Sequence, residues 1–382
     1  MTELLNRNLL GLAAKDASQF VSLAKETEGC ILLTSGEPDF GISDVVKTNI
    51  TRSVNNGLTH YIDSRGDIRI RVAASDFEKR TKGMTYGSDE IILTSGSTEA
   101  VFLALMGVLN PGDEVVIPLP AVSLYENVVR IAGAVPVFLE TAEDGYQINA
   151  EKLASVLSDK TKAVILNSPK NPTGVIYSRE SLQAVHDALA GKPVFVLCDD
   201  AYNRVVFDEE NGCPSFAGLF PDMKAQTLVA QSFSNSYAMA GFRLGYLLGD
   251  KAVIDKLAIL HKSAVYSIVN FIQDPAIEAL HSDIMGMVWA YDSRRKYLCE
   301  KLDSIGLEYA APQGGFFVFP RIDQFGMDSE AFCTRLIQEA KVAVLPGTLF
   351  GAEGYIRISY SAPMGMLKAG MNRFEEFVKG LK

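Results

Sequence analysis

The chain has 382 residues, of which 48% are hydrophobic and 21% charged, and its formal net charge is −10 at pH 7. This composition is typical of a folded globular protein and excludes a disordered one, while the length predicts two domains. The negative charge argues against nucleic acid as the main partner.

The start of the chain, Met1–Leu5, has no basic segment followed by an apolar one, so we expect no signal peptide. No apolar run approaches the length of a membrane span. The five cysteines are odd in number, widely spaced and without a C-x-x-C pair, as is typical of reduced cytosolic thiols. The four histidines lack metal-ligand spacing. We therefore expect a cytoplasmic protein with no metal site and no membrane partner.

Six short apolar segments alternate with helical patterns through the middle of the chain. Strands are predicted at 90–94, 114–118, 135–139, 163–167, 194–198 and 227–231. Their apolar residues are continuous rather than alternating, which is typical of strands buried on both faces. Together with the intervening helices they predict an α/β fold around a mainly parallel sheet.

The C-terminal part has a different pattern. A helical pattern covers 274–304 and is followed by predicted strands at 315–320 and 355–360, which indicate a smaller α+β unit. No flexible linker or internal repeat is present. We therefore place the domain boundary at a bend in the long helix, within 283–290.

Three turns at strand ends carry candidate functional residues. Gly96, Ser97 and Thr98 lie between a strand and a helix, where backbone N–H groups and hydroxyls suit a phosphate, although such residues also serve simply as helix caps. The sequence N-S-P-K-N-P-T-G at 167–174 reads by itself as a proline-rich turn. Asp199 ends a strand at the sheet edge that binds ligands in α/β proteins; the alternative is a solvated loop acid, with Asp200 equally available.

Residues 232–246, S-F-S-N-S-Y-A-M-A-G-F-R-L-G-Y, closely resemble the cofactor-lysine segment of class I/II aminotransferases, S-F-S-K-x-Y-x-M-x-G-x-R-x-G-Y. These are fold-type I enzymes of the aspartate aminotransferase superfamily and use pyridoxal 5′-phosphate (PLP). The turn at 167–174, G-E-P-D-F at 36–40, L-P-G-T-L-F-G at 345–351 and R-I-S-Y at 357–360 resemble further family motifs in the family's order.

The resemblance implies a mainly parallel, seven-stranded type of central sheet with helices on both faces, plus a smaller α+β domain. The large PLP-binding domain would span 45–285, and the small domain would be built from both chain ends, 1–44 and 286–382. A homodimer with an active site shared across the interface is also implied.

The resemblance also implies roles for individual residues. Asp199 would pair with the pyridine nitrogen, and Tyr202 and Asn171 would bond the 3′-oxygen. Arg357 would bind the substrate carboxylate near Gly36 and Asn171, whereas by itself an arginine on a strand is more often a surface charge. The phosphate contacts would come from Gly96, Ser97, Thr98, Ser232, Ser234, Arg243 and, across the dimer interface, Tyr61.

Two positions depart from the family pattern. Asn235 stands where the family has its imine-forming lysine, and a carboxamide is neither a nucleophilic amine nor a useful base near neutral pH. It is a deliberate substitution, a natural loss or a sequence conflict; we favour the first, because the surrounding cofactor contacts are intact.

Val122 replaces the usual aromatic residue on the ring face and offers no stacking quadrupole. This replacement reflects either ordinary divergence or altered chemistry. Lys170 is an unfavoured replacement amine, since the motif turns this side chain away.

The sequence therefore predicts an aminotransferase that moves an amino group from an L-amino acid to a 2-oxo acid, with little or no turnover because of Asn235. The cofactor is expected to be bound without a covalent link to the protein, or as an external aldimine or pyridoxamine phosphate. The alternatives are a PLP-dependent carbon–sulfur β-lyase on the same fold and a non-catalytic protein that binds PLP or an amino acid.

Overall fold

The computed structural model describes residues 4–10, 12, 17–208 and 212–381. Residues 1–3, which belong to the N-terminal segment examined for a signal peptide, lie outside these ranges. The same holds for residues 11, 13–16 and 382 of the predicted small domain.

Within the described ranges the chain forms twelve strands and fourteen α-helices. The strands are β1 (Ile31–Leu32), β2 (Ile91–Thr94), β3 (Glu114–Leu119), β4 (Val135–Glu140), β5 (Thr161–Asn167), β6 (Phe195–Asp199), β7 (Thr227–Ser232), β8 (Gly245–Leu248), β9 (Phe317–Val318), β10 (Val342–Ala343), β11 (Leu345–Pro346) and β12 (Ile356–Ser359). The helices are α1 (Arg7–Leu10), α2 (Ser18–Glu26), α3 (Asp44–Asn55), α4 (Ile68–Lys82), α5 (Gly96–Val108), α6 (Ser123–Ile131), α7 (Ala150–Val156), α8 (Arg179–Leu189), α9 (Phe216–Leu219), α10 (Lys251–Ala264), α11 (Gln273–His281), α12 (Met285–Ile305), α13 (Ser329–Arg335) and α14 (Met364–Leu381).

Seven strands form the central sheet in the order β2-β8-β7-β6-β5-β3-β4. All neighbours are parallel except β8, which is antiparallel to both β2 and β7. The predicted mainly parallel α/β sheet is thus confirmed, and each of the six predicted strands matches an observed strand to within two residues. Strand β8 was not predicted; it has four residues, and the first two, Gly245 and Tyr246, belong to the segment 232–246 that resembles the cofactor-lysine motif.

Helices cover both faces of this sheet, as expected. Alternate residues of β5 enter different cores: Val164 and Leu166 pack with helices α4, α8 and α11, whereas Ala163 and Ile165 pack with α5, α6 and α10. Since side chains alternate across a strand, a continuous apolar run serves both cores at once.

The elements near the two chain ends share a third core. Strand β1 pairs in parallel with β10, and β12 lies between β11 and β9 in a separate antiparallel sheet. Apolar residues of α2, α12, α13 and α14 pack together with these strands. The predicted strands at 315–320 and 355–360 are present but shorter, as β9 and β12.

The single long helix expected over 274–304 is wrong. The chain forms α11 and α12 instead, separated at 282–284. Ser282 is extended, and the Asp283 carboxylate accepts a hydrogen bond from the backbone N–H of Met285, the first residue of α12, at 2.8 Å. The expected bend is therefore a break between two helices.

The described residues contain no helix long and apolar enough to cross a membrane. In the same part of the chain, no group of three His, Cys, Asp or Glu side chains is arranged to hold a metal ion. All five cysteines are unpaired.

Candidate active site

A cavity of about 450 Å³ opens at the C-terminal ends of the parallel strands. The register brings the strand ends together, since Asn167 at the end of β5 pairs with Asp199 at the end of β6. Eleven of the residues predicted from the sequence line this cavity: Gly36, Ser97, Thr98, Val122, Asn171, Asp199, Tyr202, Ser232, Ser234, Asn235 and Arg243. Parallel strands deliver their following loops to one edge, so residues far apart in sequence converge here.

One end of the cavity is suited to an anion. Helix α5 begins at Gly96, and the Arg243 guanidinium lies beside it, with Nη2 3.4 Å from the Thr98 hydroxyl and Nη1 3.5 Å from the Ser234 hydroxyl. Gly96 has φ +75°, a conformation that favours glycine, and a Cβ there would stand 2.7 Å from Arg243 Nη2 and would displace the guanidinium. Helix N–H groups, hydroxyls and a guanidinium together favour a phosphate.

The start of α5 has a support that the sequence analysis missed. The Glu99 carboxylate accepts a hydrogen bond from the backbone N–H of Ser95 and a second from His261 Nδ1, at 2.7 Å. His261 is fully buried, and its Nε2 has no partner among the described residues, so the proton sits on Nδ1. The contact joins residues 162 positions apart, and no local sequence pattern predicts it.

Asp199 is a buried carboxylate that lines the same cavity. Its Oδ2 accepts a hydrogen bond from the Tyr125 hydroxyl at 2.7 Å, and its Oδ1 accepts one from the Ala201 backbone N–H at 3.3 Å. Burial raises the pKa of Asp199 to about 6, whereas these two hydrogen bonds hold the pKa down. Tyr125 lies one helical turn after Val122; that spacing was the only sequence signal for it.

The alternative assignment to Asp200 is wrong for this cavity. Asp200 is buried and its backbone N–H donates to the Ala230 carbonyl, but its side chain does not line the cavity. Burial raises the pKa of Asp200 to about 7, and the nearby Lys82 lowers it. The solvated-acid interpretation of Asp199 also fails, since that residue is only 7% exposed.

Arg357 is a buried cation next to the cavity wall rather than a surface charge. It is 6% exposed, and it donates from Nη1 to Asn171 Oδ1 at 3.0 Å and from Nη2 to the Thr34 carbonyl at 2.8 Å. The rings of Phe317 and Phe350 flank it, with centroids 4.4 and 5.0 Å away. Among the described residues it has no carboxylate partner, and its Nε makes no hydrogen bond. A buried guanidinium held only by neutral groups is prepared for an anionic ligand.

Burial also shifts the pKa values of the groups that surround Asn171. It raises the pKa of the Tyr202 hydroxyl to about 12, against the nearby charge of Arg357 and hydrogen bonds with Asn171 and Asn235. Burial lowers the pKa of Arg357 to about 10. The phenol is therefore neutral and the guanidinium charged at pH 7.

Asn235 lies in the wall between these groups. It is 6% exposed, and its Nδ2 donates to the Ala201 carbonyl at 3.3 Å. Lys170, the unfavoured replacement amine, does not line the cavity. Its Nζ lies 3.3 Å from the Leu119 carbonyl and 3.5 Å from Thr141 Oγ1, and burial lowers its pKa to about 7.

Three predicted residues do not line the cavity: Gly96, Arg357 and Tyr61. The first two touch residues that do, as described above. Tyr61 is 83% exposed and packs only edge-on against Tyr266, with ring centroids 4.8 Å apart. Within one chain the structure does not bring Tyr61 to the site.

Comparisons with known proteins agree with this geometry. A family model described as "Aminotransferase class I and II" matches residues 28–374. The chain is 33% identical over 384 residues to a probable N-acetyl-LL-diaminopimelate aminotransferase of Bacillus subtilis, covering 99% of this chain and 96% of the relative. It is 33% identical to an aspartate aminotransferase of Pyrococcus horikoshii over 368 residues, covering 94% of this chain and 93% of that protein.

Solved structures are similar over the same span. An aspartate aminotransferase of Thermus thermophilus with maleate has a TM-score of 0.92 and 30% identity, with 97% of this chain and 99% of that chain covered. An aromatic aminotransferase of Pyrococcus horikoshii has a TM-score of 0.89 and 33% identity, with 94% and 99% covered.

Proposed function

The chain belongs to the class I and II aminotransferase family, and on this premise we propose that it binds PLP and that its parent reaction moves an amino group from an L-amino acid to a 2-oxo acid. The substrate class comes from relatives named as aminotransferases. The single observation that carries the proposal is one cavity with an anion-binding end and a buried carboxylate, beside which lies a buried guanidinium that has no carboxylate partner among the described residues.

The residues present fit the cofactor. The cavity offers about 450 Å³, and its Gly96 end leaves space and donors for a phosphate. Asp199 lines the same cavity as Asn235 and Tyr202 and is a carboxylate that could pair with a ring nitrogen. Arg357 lacks an anionic partner among the described residues, as a binding site for a substrate carboxylate requires.

When bound, PLP supplies an aldehyde and a pyridinium ring that withdraws electrons from the substrate α-carbon. Arg243, Thr98 and Ser234 would hold its phosphate, together with Ser97, Ser232 and the Gly96 end of α5. Asp199 in its charged form would keep the ring nitrogen protonated. Tyr202 and Asn171 would donate to the 3′-oxygen, and Arg357 would orient the substrate through its carboxylate.

We propose that Asn235 occupies the position of the family's catalytic lysine. Its amide cannot bond covalently to an aldehyde and cannot carry a proton near neutral pH, so binding is retained while turnover is slow. The interpretation as a substitution in a working enzyme is supported by the groups around it, since Asp199 is hydrogen-bonded to Tyr125 and Asn171 to Arg357.

We also propose a homodimer in which Tyr61 reaches the partner's cavity, and two domains divided at 44/45 and 285/286. The 83% exposure of Tyr61 beside the exposed Tyr266 supports the first. The common core of the chain ends and the break between α11 and α12 support the second.

The purified chain mixed with PLP is expected to show the spectrum of a free aldehyde in a protein site. Borohydride treatment should leave no pyridoxyl group on the protein, because Asn235 offers no amine. Mass spectrometry after reduction is the measurement. Attached pyridoxyl would contradict the proposal, and attachment at Lys170 would identify it as the replacement amine. Ammonia and 2-oxo acid produced without an amino acceptor would instead support the β-lyase alternative.

The affinity for PLP is expected to fall as the pH drops through about 6. Burial places the pKa of Asp199 near 6, above its ordinary value, and only the charged form pairs with a protonated ring nitrogen. The Tyr125 hydrogen bond stabilises that charged form, so Tyr125→Phe should move the midpoint upward by about 1–2 pH units, since a hydrogen bond to a charged group contributes about 1.5–3 kcal/mol.

Titration of PLP binding between pH 5 and 8 measures this midpoint. The cofactor phosphate also titrates near pH 6, but identically in both proteins, so the difference reports Asp199 alone. Tyr177→Phe, at a buried tyrosine that packs under Lys170, is the control. Equal midpoints in all three proteins would remove Tyr125 from this role.

A further inference from the structure

A short segment of the chain lies at the cavity and has few hydrogen bonds within itself. Residues 35–38, here called the flap, bring Gly36 and Glu37 to the cavity wall, and Ser35, Gly36 and Glu37 are exposed. The only hydrogen bonds within the flap join Ser35 Oγ to the backbone of Glu37, at 3.2 Å. A Cβ built on Gly36 would meet nothing within 4 Å. The position of the flap is therefore decided at its two ends.

The first end is held by Arg357 and its strand. Arg357 Nη2 donates to the Thr34 carbonyl at 2.8 Å, and the backbone N–H of Ser359 donates to the Leu33 carbonyl at 2.9 Å. The same guanidinium that faces Asn171 thus fixes where the flap begins.

The second end is held by another arginine, Arg294 of α12. Its two terminal nitrogens each lie 2.8 Å from one oxygen of Asp39, which is a two-pronged ion pair. Arg294 is 7% exposed and packs against the rings of Phe40 and Tyr291, with centroids 5.2 and 5.3 Å away. Paired forks of this kind are directional as well as strong.

Arg294 also connects the flap to the strand that carries Arg357. Its Nη1 donates to the carbonyl of Ser361, two residues beyond the end of β12, at 2.6 Å. One side chain therefore sets the spacing between the flap and β12. Arg294 lies on α12, which begins just after the break at 282–284. The same side chain therefore links the flap and β12 to the helix at the proposed domain boundary.

We propose that Arg294 is a positioning residue for substrate binding: by holding Asp39 and Ser361 together, it keeps the flap closed over the cavity beside Arg357. The inference rests on the proposed function, in which Arg357 binds the substrate carboxylate. Arg294 does not line the cavity and touches neither cofactor nor substrate. Its effect is on the affinity for the amino acid, and not on the affinity for PLP, whose contacts lie at the other loops.

The test compares Arg294→Ala with Arg295→Ala. Arg295 is the next residue on α12; it pairs with Asp292 at 2.6 Å and does not contact the flap. Amide hydrogen exchange of residues 33–40 is measured first on the proteins without ligand. Dissociation constants are then measured spectroscopically for PLP, and for L-alanine, L-aspartate, L-phenylalanine and L-lysine added to the PLP-loaded proteins. Asp39→Asn serves as a second variant, since it removes the charge of a side chain that is 21% exposed.

We expect Arg294→Ala and Asp39→Asn to speed exchange in 33–40 at least tenfold and to weaken the best-bound of these amino acids at least tenfold. PLP affinity should change less than twofold, and Arg295→Ala should match the parent in every measurement. Arg294→Lys should restore part of the amino-acid affinity, since it keeps the charge but not the fork.

Unchanged exchange in 33–40 for both Arg294→Ala and Asp39→Asn would overturn the proposal, as would equal losses of PLP and amino-acid affinity. If Arg294→Ala does not fold, the measurements on Asp39→Asn alone test the proposal. If the parent binds none of these ligands, the proposed function fails, and the exchange measurement by itself still decides whether Arg294 holds the flap.

Discussion

The Asn235→Lys variant is expected to transaminate at least about 100 times faster than the chain with asparagine, because proton transfer by a positioned side chain alone contributes about 10²–10⁴-fold. Asn235 is 6% exposed and lines the same cavity as Asp199 and Tyr202. A lysine there would bond covalently to the cofactor aldehyde, exchange readily with the substrate amine and carry a proton to and from the substrate α-carbon. Burial would lower the pKa of such a lysine and so favour its free-base form.

Rates over a broad panel of amino donors and 2-oxo acids measure this effect. Asn235→Gln is the matched control, since it lengthens the side chain without adding an amine and should remain slow. Small added amines should speed the asparagine form but leave the lysine form unchanged. An inactive Asn235→Lys protein beside an asparagine form that does turn over would mean that asparagine is the native choice.

The Arg357→Ala variant is expected to lose about 2–5 kcal/mol of amino-acid binding free energy, the usual cost of truncating one partner of a buried, hydrogen-bonded charge pair. Arg357 is 6% exposed, with its Nε unpaired and no carboxylate partner among the described residues. A substrate carboxylate would supply the missing anion. PLP affinity should change far less, because the phosphate and ring contacts lie on other loops.

Separate titrations with PLP and with amino acids measure the two affinities. Arg321→Ala is the control, since Arg321 is a half-exposed arginine paired with Asp323. Equal losses of both affinities would assign Arg357 to the fold rather than to the substrate. Thermal unfolding of the variant separates that outcome from simple instability.

The sequence by itself determined the fold class and the positions along the chain of six strands of the central sheet. Both faces of the sheet are buried, so its strands are continuous apolar runs. Such runs can be recognised from the neighbouring residues in the sequence alone. Eleven of the predicted site residues also line one cavity, because all of them except Gly36 end or follow a strand of the central sheet and parallel strands share one functional edge. What the sequence could not decide was which of two adjacent acids, Asp199 or Asp200, faces that cavity.

The tertiary structure alone decided the partners of the buried groups. Tyr125 meets Asp199 across 74 positions, His261 meets Glu99 across 162, and Arg294 meets Asp39 across 255. No local pattern encodes such pairs, because each depends on how helices and loops pack after the sheet has formed. The same packing converts Arg357 from an apparent surface charge into a buried cation, and it sets the pKa of Asp199 through burial and one distant hydroxyl. Local periodicity therefore predicts the elements, whereas charge, burial and hydrogen bonding at the site are properties of the assembled fold.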